Sequence, residues 1–286
     1  MRSTWLVSRP MNALAQIEAW PVEHSAAGVV RGTETWSHGE ADRKFGWASV
    51  TKPFTAMAVL VGAEEGVLDL DEPAGPPGST VRHLLAHASG LPFDGLRPIS
   101  KPGKRRIYSN TGIEVLATFL AEKADMAFAA YLSEAVLEPL GMSGTALEGS
   151  PAAGLAGTLV DLLAFGRELL APTLVAPETL EEATTVVFPG LDGVLPDFGR
   201  YEPLDWGLGF EIRDEKEPHW TGTRNSPRTF GHFGSSGSFI WVDREADTAC
   251  AALADRQFGE WAKEAWPPLS DAVLAELRFR ETCGTS

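Results

Sequence analysis

The segment at residues 48–53, Ala-Ser-Val-Thr-Lys-Pro, limits what this chain can fold into, because a long apolar run follows it directly. Proline lacks an N–H and is tolerated only near a helix start, so Pro53 predicts that Ser49 and Lys52 occupy the first turn of a helix. Residues 54–61 are almost wholly apolar on every side, which predicts that the helix is buried. Residues three apart share a helix face, so the Lys52 amine is expected to reach the Ser49 hydroxyl.

The Ser-x-x-Lys pattern has two interpretations. A serine and a lysine at a helix start are commonly a cap and a solvated charge, and such four-residue matches arise by chance. The alternative is a nucleophile held beside its base, which requires both groups to be anchored firmly. The choice between the two interpretations depends on whether further candidate residues for the same site occur later in the chain.

The overall composition excludes several classes of partner. The chain has 286 residues, 44% of them hydrophobic, and a net charge of −15. That charge argues against binding to nucleic acid or to an anionic membrane. The first ten residues lack the apolar core of a signal peptide, and no stretch reaches the ~20 apolar residues that span a bilayer. We therefore expect a cytoplasmic protein with no membrane partner, and the oligomeric state stays open.

The two cysteines and the histidines indicate neither a disulfide framework nor a cofactor. Cys250 lies in an apolar, strand-like run, and Cys283 lies in a polar tail. His83 and His87 have the i, i+4 spacing of a zinc pair, but no adjacent glutamate completes a His-Glu-x-x-His motif. No metal and no cofactor are predicted.

The pattern of elements predicts strands at both ends of the chain with helices between them. Short strands are indicated before residue 40 and again at residues 209–212, 228–232, 238–242 and 248–253. Helices are indicated from Thr111 and from Thr158, each with an acidic residue three positions later, and a last helix from Ser270. Residues 188–206 are rich in proline and glycine and predict a long loop.

This order predicts an α/β protein with two lobes. Residues 1–66 and 203–286 would form a discontinuous sheet domain, and residues 67–202 would form a helical lobe inserted into it. The Ser49 helix would lie at the seam between them, where a cleft is expected.

Two later motifs supply candidate partners for Ser49. Tyr108 and Asn110 precede the helix predicted from Thr111, where they could point into a cleft. His232 lies in a glycine-rich segment, residues 231–237, in which glycines let backbone N–H groups approach a ligand. Taken singly, each has a plainer explanation, because tyrosines before helices commonly pack and lone histidines in strands are commonly structural.

The order of the three motifs, Ser-x-x-Lys, Tyr-x-Asn and His-x-Gly, resembles the serine β-lactamase and penicillin-binding-protein superfamily. It is most similar to the class C β-lactamase and esterase branch, whose LLxHTSGLP segment resembles residues 81–92 here. The resemblance extends over roughly residues 28–255. It implies the β-lactamase/transpeptidase-like fold, an antiparallel sheet flanked by helices with an inserted all-helical lobe.

The resemblance also implies roles for individual residues. Ser49 would be the acyl-forming nucleophile, and Lys52 and Tyr108 would share its proton, with the choice of base left open. Asn110 would hydrogen-bond Lys52 or the substrate amide. The backbone N–H groups of Ser49 and Ser235 would form the oxyanion hole. The group implied to contact the substrate is Asn110, His232, Gly234 and Ser235.

The third motif departs from the β-lactamase pattern. That pattern has Lys-Thr-Gly, whose ammonium and hydroxyl engage a substrate carboxylate, whereas this chain has His232 and Phe233. A largely neutral histidine and an apolar ring favour an uncharged or partly apolar acyl substrate. Trp206, Trp220 and Phe233 are candidate walls of the cleft, with specificity expected in residues 188–206.

The predicted function is therefore an acyl-serine hydrolase that acts on a small-molecule ester, or on an amide or small peptide. Three alternatives stay open: a β-lactamase or D-Ala-D-Ala-type peptidase, an acyltransferase, and a catalytically silent penicillin-binding-like protein. The fold does not decide among them.

Overall fold

A six-stranded antiparallel sheet organises the computed structural model, which describes residues 10–284. The segment at residues 1–9, on which the prediction about export depends, lies outside the described residues, as do residues 285 and 286. In chain order the strands are β1 (Ser25–Arg31), β2 (Glu34–Gly39), β3 (Phe45–Gly46), β4 (Arg106–Ile107), β5 (Ala146–Leu147), β6 (Leu155–Gly157), β7 (Gly193–Leu195), β8 (Gly199–Tyr201), β9 (Glu211–Ile212), β10 (Phe230–Gly234), β11 (Ser238–Asp243) and β12 (Thr248–Ala254).

The main sheet joins the two ends of the chain, in the order β2-β1-β12-β11-β10-β9. Strands β11 and β12 are buried along their whole length, which explains their nearly unbroken apolar sequence. Strand β1 pairs antiparallel with β12, and Val29 lies opposite Cys250. Two three-stranded sheets, β3-β6-β5 and β4-β7-β8, lie outside this main sheet.

The helices cover both faces of the main sheet. They are α1 (Thr51–Glu64), α2 (Val81–Leu85), α3 (Asn110–Ala124), α4 (Phe128–Leu132), α5 (Leu159–Leu170), α6 (Pro177–Ala183) and α7 (Glu260–Gly284). Alternate residues of β1 and β12 enter two different apolar clusters, one shared with α1 and α5 and the other with α7. Among residues 10–284, no helix has the length and apolar character needed to cross a membrane.

The helix after Ser49 is confirmed as a buried helix. Residues 51–62 of α1 are all buried, as their apolar sequence predicts. Ser49 itself lies in a 3₁₀ turn, Ala48–Val50, that leads directly into α1. Pro53 is therefore the third residue of α1, where its missing N–H leaves no intrahelical bond unmade.

Two predicted helix starts are wrong and one is confirmed. Helix α3 begins at Asn110 and is capped by Ser109, whose hydroxyl accepts from Gly112 N at 2.9 Å. Thr111 is inside that helix, where its hydroxyl accepts instead from Gly95 N. Thr158 caps α5 as predicted by accepting from Asp161 N.

The last helix also starts earlier than predicted. Ser270 lies within α7, where its hydroxyl donates to Trp266 O and accepts from Trp241 Nε1. Pro267 and Pro268 lie inside the helix and lack two N–H donors, so the sequence indicates a break there. Burial of Trp266 and Leu269 against the sheet stabilises the continuous helix.

The region at residues 188–206 is not a single loop. It contains the paired strands β7 and β8, and β7 runs parallel to β4. The predicted domain boundaries at residues 67 and 202 remain a prediction. Helix α5 belongs to the predicted helical lobe by position, yet it packs closely on the main sheet, since a Cβ at Gly28 would lie 2.6 Å from Leu163.

Candidate active site

Ser49 is positioned by a short, constrained segment between β3 and α1. Ala48 has a φ of 43°, a left-handed conformation that is unusual for a residue with a side chain. Trp47 anchors the segment on both sides, because its N–H donates to Leu155 O and its carbonyl accepts from Ser238 Oγ at 2.8 Å. Ser49 is partly exposed, as a residue that meets a substrate must be.

Lys52 is fully buried and makes three polar contacts. Its Nζ lies 3.1 Å from Ser49 Oγ, 2.7 Å from Asn110 Oδ1 and 2.9 Å from the carbonyl oxygen of Ala152. The amide and carbonyl oxygens only accept, so two N–H bonds of Lys52 are committed to them. The remaining position on Nζ faces Ser49, whether it carries a proton or a lone pair.

Burial changes the protonation of Lys52. Desolvation lowers the pKa of Lys52 from 10.5 to about 7, and the more distant charges of Glu114 and Asp94 oppose that shift. Since no carboxylate within residues 10–284 contacts Nζ directly, the neutral amine is accessible near neutral pH. A neutral amine can accept a proton from the Ser49 hydroxyl.

Tyr108 stands beside this pair. The Lys52 Nζ lies 4.7 Å from the centre of the Tyr108 ring. Burial raises the pKa of the Tyr108 phenol, and a hydrogen bond with Ser49 acts in the opposite direction. The phenol therefore keeps its proton at neutral pH and is suited to donate it.

His232 is buried in β10 and remains neutral. Its Nδ1 donates to the carbonyl oxygen of Phe233 at 2.6 Å, so Nε2 is the unprotonated nitrogen and faces the Tyr108 hydroxyl at 3.4 Å. Burial and the nearby Lys52 charge lower the pKa of His232 to about 3. The histidine thus provides an acceptor where the β-lactamase pattern has an ammonium.

Gly234 allows the end of β10 to approach the Ser49 segment closely. A Cβ at this position would lie 2.3 Å from Trp47 O and 2.5 Å from Ser238 Oγ. Ser235 follows immediately and is exposed. This close approach places residues 234 and 235 beside residues 47 and 48, although the oxyanion role of the Ser49 and Ser235 N–H groups stays a prediction.

The predicted aromatic walls lie behind the site. Trp206 is buried with its ring 5.9 Å from Tyr108 and 5.7 Å from His232. Trp220 and Phe233 are also buried, with their tilted rings 5.9 Å apart in the cluster shared with α7. Trp206 supports Tyr108 and His232 from the core, and none of the three predicted cleft walls is among the residues that line the cleft beside Tyr108.

The cleft beside Tyr108 has a different lining. Its volume is about 320 Å³, and β7, β8 and the residues before α3 form its walls. Exposed Phe93 stacks on Tyr108 at 5.9 Å and forms one edge. Residues 192–200 thus line the cleft beside Tyr108 as paired strands, and the role of residues 188–206 in specificity stays a prediction.

Sequence reasoning missed two contributors. The carbonyl of Ala152 carries no side-chain signal, so its contact with Lys52 could be found only from coordinates. His87 packs on Tyr108 at 4.8 Å, and its Nδ1 accepts from Ser109 N at 3.2 Å. Its position in the LLxHTSGLP-like segment was the available signal.

The described residues do not bring His83 and His87 to a common ligand. His83 bonds to Thr80 Oγ1 at 2.9 Å, whereas His87 contacts Ser109. A separate group, Glu23, His24 and Asp255, has ligand atoms within 4.8 Å of one another. Asp255 already accepts from the backbone N–H groups of Glu23 and His24, so this group is accounted for by hydrogen bonds.

Comparisons with known proteins identify the family of the chain. The beta-lactamase family model matches residues 20–274. A crystal structure of a beta-lactamase from Mycobacterium bovis has 54% sequence identity and a TM-score of 0.92, with 93% of this chain and 99% of that chain covered. EstCE1, described as a hydrolase with promiscuous acyltransferase activity, has the same fold at 17% identity and a TM-score of 0.76, with 92% and 96% covered.

A curated relative matches over a shorter stretch. Penicillin-binding protein 4* of Bacillus subtilis (strain 168) is 30% identical over an alignment of 188 residues that covers 54% of this chain and 41% of that protein. The match therefore spans less than half of that relative. Because the family model covers most of the sequence, the chain belongs to the beta-lactamase family.

Proposed function

We propose that this protein is a serine hydrolase that carries the acyl group of an ester substrate on Ser49 before water releases it. The observation that carries the proposal is the environment of Lys52, whose Nζ has two fixed acceptors and directs its third position at Ser49 Oγ. A buried amine with a pKa near neutrality is a suitable base for a serine hydroxyl.

The pKa directions favour Lys52 over Tyr108 as the base in the free enzyme. The Lys52 pKa lies at about 7, while burial moves the Tyr108 pKa above its ordinary value. Neutral Lys52 takes the proton from Ser49 Oγ as that oxygen attacks the carbonyl carbon. Tyr108 then gives its proton to the leaving oxygen and regains one from the Lys52 ammonium. In the second half of the reaction a water molecule attacks the acyl carbon and the same proton transfers run in reverse. Ser49 Oγ regains its proton as the carboxylic acid leaves.

The polar contacts of His232 support an ester as the substrate. Its Nε2 faces Tyr108, and its neutral ring offers no charge to a carboxylate near Ser235. Steady-state hydrolysis of p-nitrophenyl butyrate by the wild type and by Ser49→Ala tests the proposal. We expect the variant to lose at least a thousandfold in kcat, as removal of a catalytic nucleophile does. Full activity in a folded Ser49→Ala protein would contradict it.

A second candidate is hydrolysis of β-lactams, which the name of the 54% identical Mycobacterium bovis protein favours. Benzylpenicillin in the same assay distinguishes the two: faster turnover of penicillin than of the ester would assign β-lactamase activity. An added alcohol that speeds p-nitrophenol release and appears in the product would assign acyl transfer. A protein that binds esters without turnover would be a silent member of the family.

A further inference from the structure

The cleft beside Tyr108 has an apolar rim that is open to solvent. The described residues include six large hydrophobic side chains that are exposed, and Phe93, Ile99 and Val194 line this cleft. A fourth, Leu96, lies in the same segment as Phe93 and Ile99 and is 75% exposed. Exposed apolar side chains gathered at a concave site are typical of a ligand-binding groove.

The segment at residues 95–113, which supplies part of this rim, is basic in an acidic protein, and two of its cations, Arg105 and Arg106, line the cleft. Residues 95–113 contain five of the chain's 24 lysines and arginines and no aspartate or glutamate, although the net charge of the chain is −15. The five cationic residues are Arg97, Lys101, Lys104, Arg105 and Arg106. This local excess of positive charge favours an anionic ligand at this rim.

Three arginines line the cleft, and they differ in the groups they contact. Arg106 is buried, and its guanidinium donates only to backbone carbonyls, including Leu204 O at 3.0 Å. Arg200 pairs with Asp192 and Glu202. Arg105 lines the cleft, is exposed and has no carboxylate partner within residues 10–284. Its guanidinium is therefore free to bind an anion.

The cleft is connected to the reacting atoms through Tyr108. The Tyr108 ring is part of the lining, and Phe93 stacks on it. In the proposed reaction Tyr108 protonates the leaving oxygen, and because Tyr108 also lines this cleft, the body of a leaving group can extend past Tyr108 into it. The apolar rim and Arg105 lie there.

We propose that this cleft binds the leaving group of the substrate, and that the preferred leaving group has an apolar body ending in a carboxylate or phosphate that Arg105 contacts. The inference rests on the proposed ester hydrolysis. It adds an anionic leaving group to the expected uncharged or partly apolar acyl group, because the anion contact lies beside Tyr108 and not at His232.

Two esters that form the same acyl-enzyme test this proposal. Benzyl butyrate and 4-carboxybenzyl butyrate differ only in the leaving alcohol, so the ratio of their kcat/KM values reports on leaving-group recognition. We expect the wild type to favour the carboxylate ester roughly fivefold, as an exposed charge-assisted contact allows. Added salt should reduce that preference, because the screening length is about 10 Å at 0.1 M and shorter above it.

Variants on both sides of the cleft sharpen the test. Arg105→Gln should bring the ratio to about one, chiefly by lowering kcat/KM for 4-carboxybenzyl butyrate. Val194→Glu places a carboxylate on the exposed rim and should lower the ratio below one. Arg224→Gln is the matched control, since Arg224 is exposed and lines a different cavity with Asp243 and Glu281, and it should retain the wild-type ratio.

The outcomes separate this inference from the proposed function. Ser49-dependent hydrolysis with a ratio near one in both wild type and Arg105→Gln would overturn the inference alone. A protein that hydrolyses neither ester through Ser49 contradicts the proposed function, and the inference with it. Binding to anionic phosphatidylglycerol vesicles that Arg105→Gln abolishes, with the ester ratio unchanged, would assign the cations to a membrane surface and also overturn the inference.

Discussion

At the scale of single residues, the surroundings of Lys52 explain how a lysine can lose its charge near neutral pH, as the proposed reaction requires. Its ammonium is held by one amide oxygen, one carbonyl oxygen and one hydroxyl, with no carboxylate in contact. Each of these neutral acceptors stabilises the charge less than an anion would, so desolvation dominates the pKa. The catalytic protonation state is therefore obtained at the expense of stability.

The first prediction concerns Lys52→Met. Between pH 7 and 10.5 the unfolded chain binds a proton at this lysine that the folded protein does not, so wild-type stability rises with pH in this window and falls as pH drops toward 7. Replacing the buried ammonium by an apolar side chain of similar length should raise the free energy of unfolding by about 1–4 kcal/mol at pH 6. That gain should shrink by about 2–3 kcal/mol between pH 7 and 9. Urea unfolding at each pH measures it.

The pH dependence of activity should also report the protonation of Lys52. Wild-type kcat/KM for p-nitrophenyl butyrate should rise with pH through about 7, as Lys52 loses its proton, and Lys52→Met should abolish turnover. His232, whose pKa is lowered to about 3, adds no inflection near neutrality. A pH-independent wild-type rate, or a Lys52→Met protein less stable than wild type at pH 6, would show that Lys52 is not a strained base.

At the scale of elements, the site depends on the contact between the end of β10 and the Ser49 turn. Ser238 Oγ donates to Trp47 O, and Gly234 lies against the same carbonyl. No larger residue fits at 234 unless the strand moves away from the nucleophile. In the proposed reaction, the distance between the two elements controls whether the Ser49 and Ser235 N–H groups can bind one carbonyl oxygen.

Gly234→Ala tests whether the distance between β10 and the Ser49 turn matters for activity. Its methyl group would overlap Trp47 O and Ser238 Oγ, so β10 must shift, and we expect kcat to fall at least tenfold, as loss of one oxyanion-hole donor does. Gly46→Ala is the matched control, because a Cβ at Gly46 meets nothing within 4 Å. Hydrolysis of p-nitrophenyl butyrate by both variants provides the measurement. Equal activity in the two would mean that β10 has no part in the chemistry.

Local signals predicted elements well where burial was uniform. The apolar sequence after Pro53 predicts α1, because every face of that helix is buried. Local signals failed where long-range contacts decide: Ser109 caps α3 with its hydroxyl also bonded to Pro92 O, and Ser270 bonds to Trp241 from inside α7. Either serine hydroxyl could cap a helix N-terminus, and only the packed structure shows that Ser109 does so and Ser270 does not.

At the scale of the whole molecule, strands from the two ends of the chain pair within one sheet, and the support of the site depends on that pairing. Strand β1 pairs with β12, and α7 packs behind β10 through Trp266 and Phe233, whose rings are 6.3 Å apart. The third motif is thus supported by the last helix of the chain. Core packing on the far face of the sheet contributes to holding His232 and Phe233 in place.

Trp266→Ala should therefore destabilise the folded protein strongly. Trp266 is fully buried against Phe239 and Phe258 at 5.0 and 5.1 Å, and truncation should lower the free energy of unfolding by about 3–5 kcal/mol. Phe279→Ala removes a large ring from the same helix where it is 66% exposed, and should change stability by less than about 0.5 kcal/mol. Similar urea midpoints for the two variants would contradict this account of the core.

The order of the three motifs along the sequence predicted the fold and the residues that meet at Ser49, since each motif ends beside the same turn. The cleft could not be predicted in this way. Its walls combine β7 and β8 with residues 93–107, and the parallel pairing of β4 with β7 joins segments that carry no mutual signal in the sequence. Side-chain exposure at Phe93 and Val194 likewise appears only in three dimensions.

Intact-protein mass spectrometry after brief mixing with p-nitrophenyl butyrate tests the central claim most directly. The account predicts that the wild type gains the mass of one butyryl group, that the modified peptide contains Ser49, and that Ser49→Ala gains nothing. Rapid p-nitrophenol release with no mass gain in the wild type, or an equal gain in Ser49→Ala, would contradict an acyl-enzyme at Ser49.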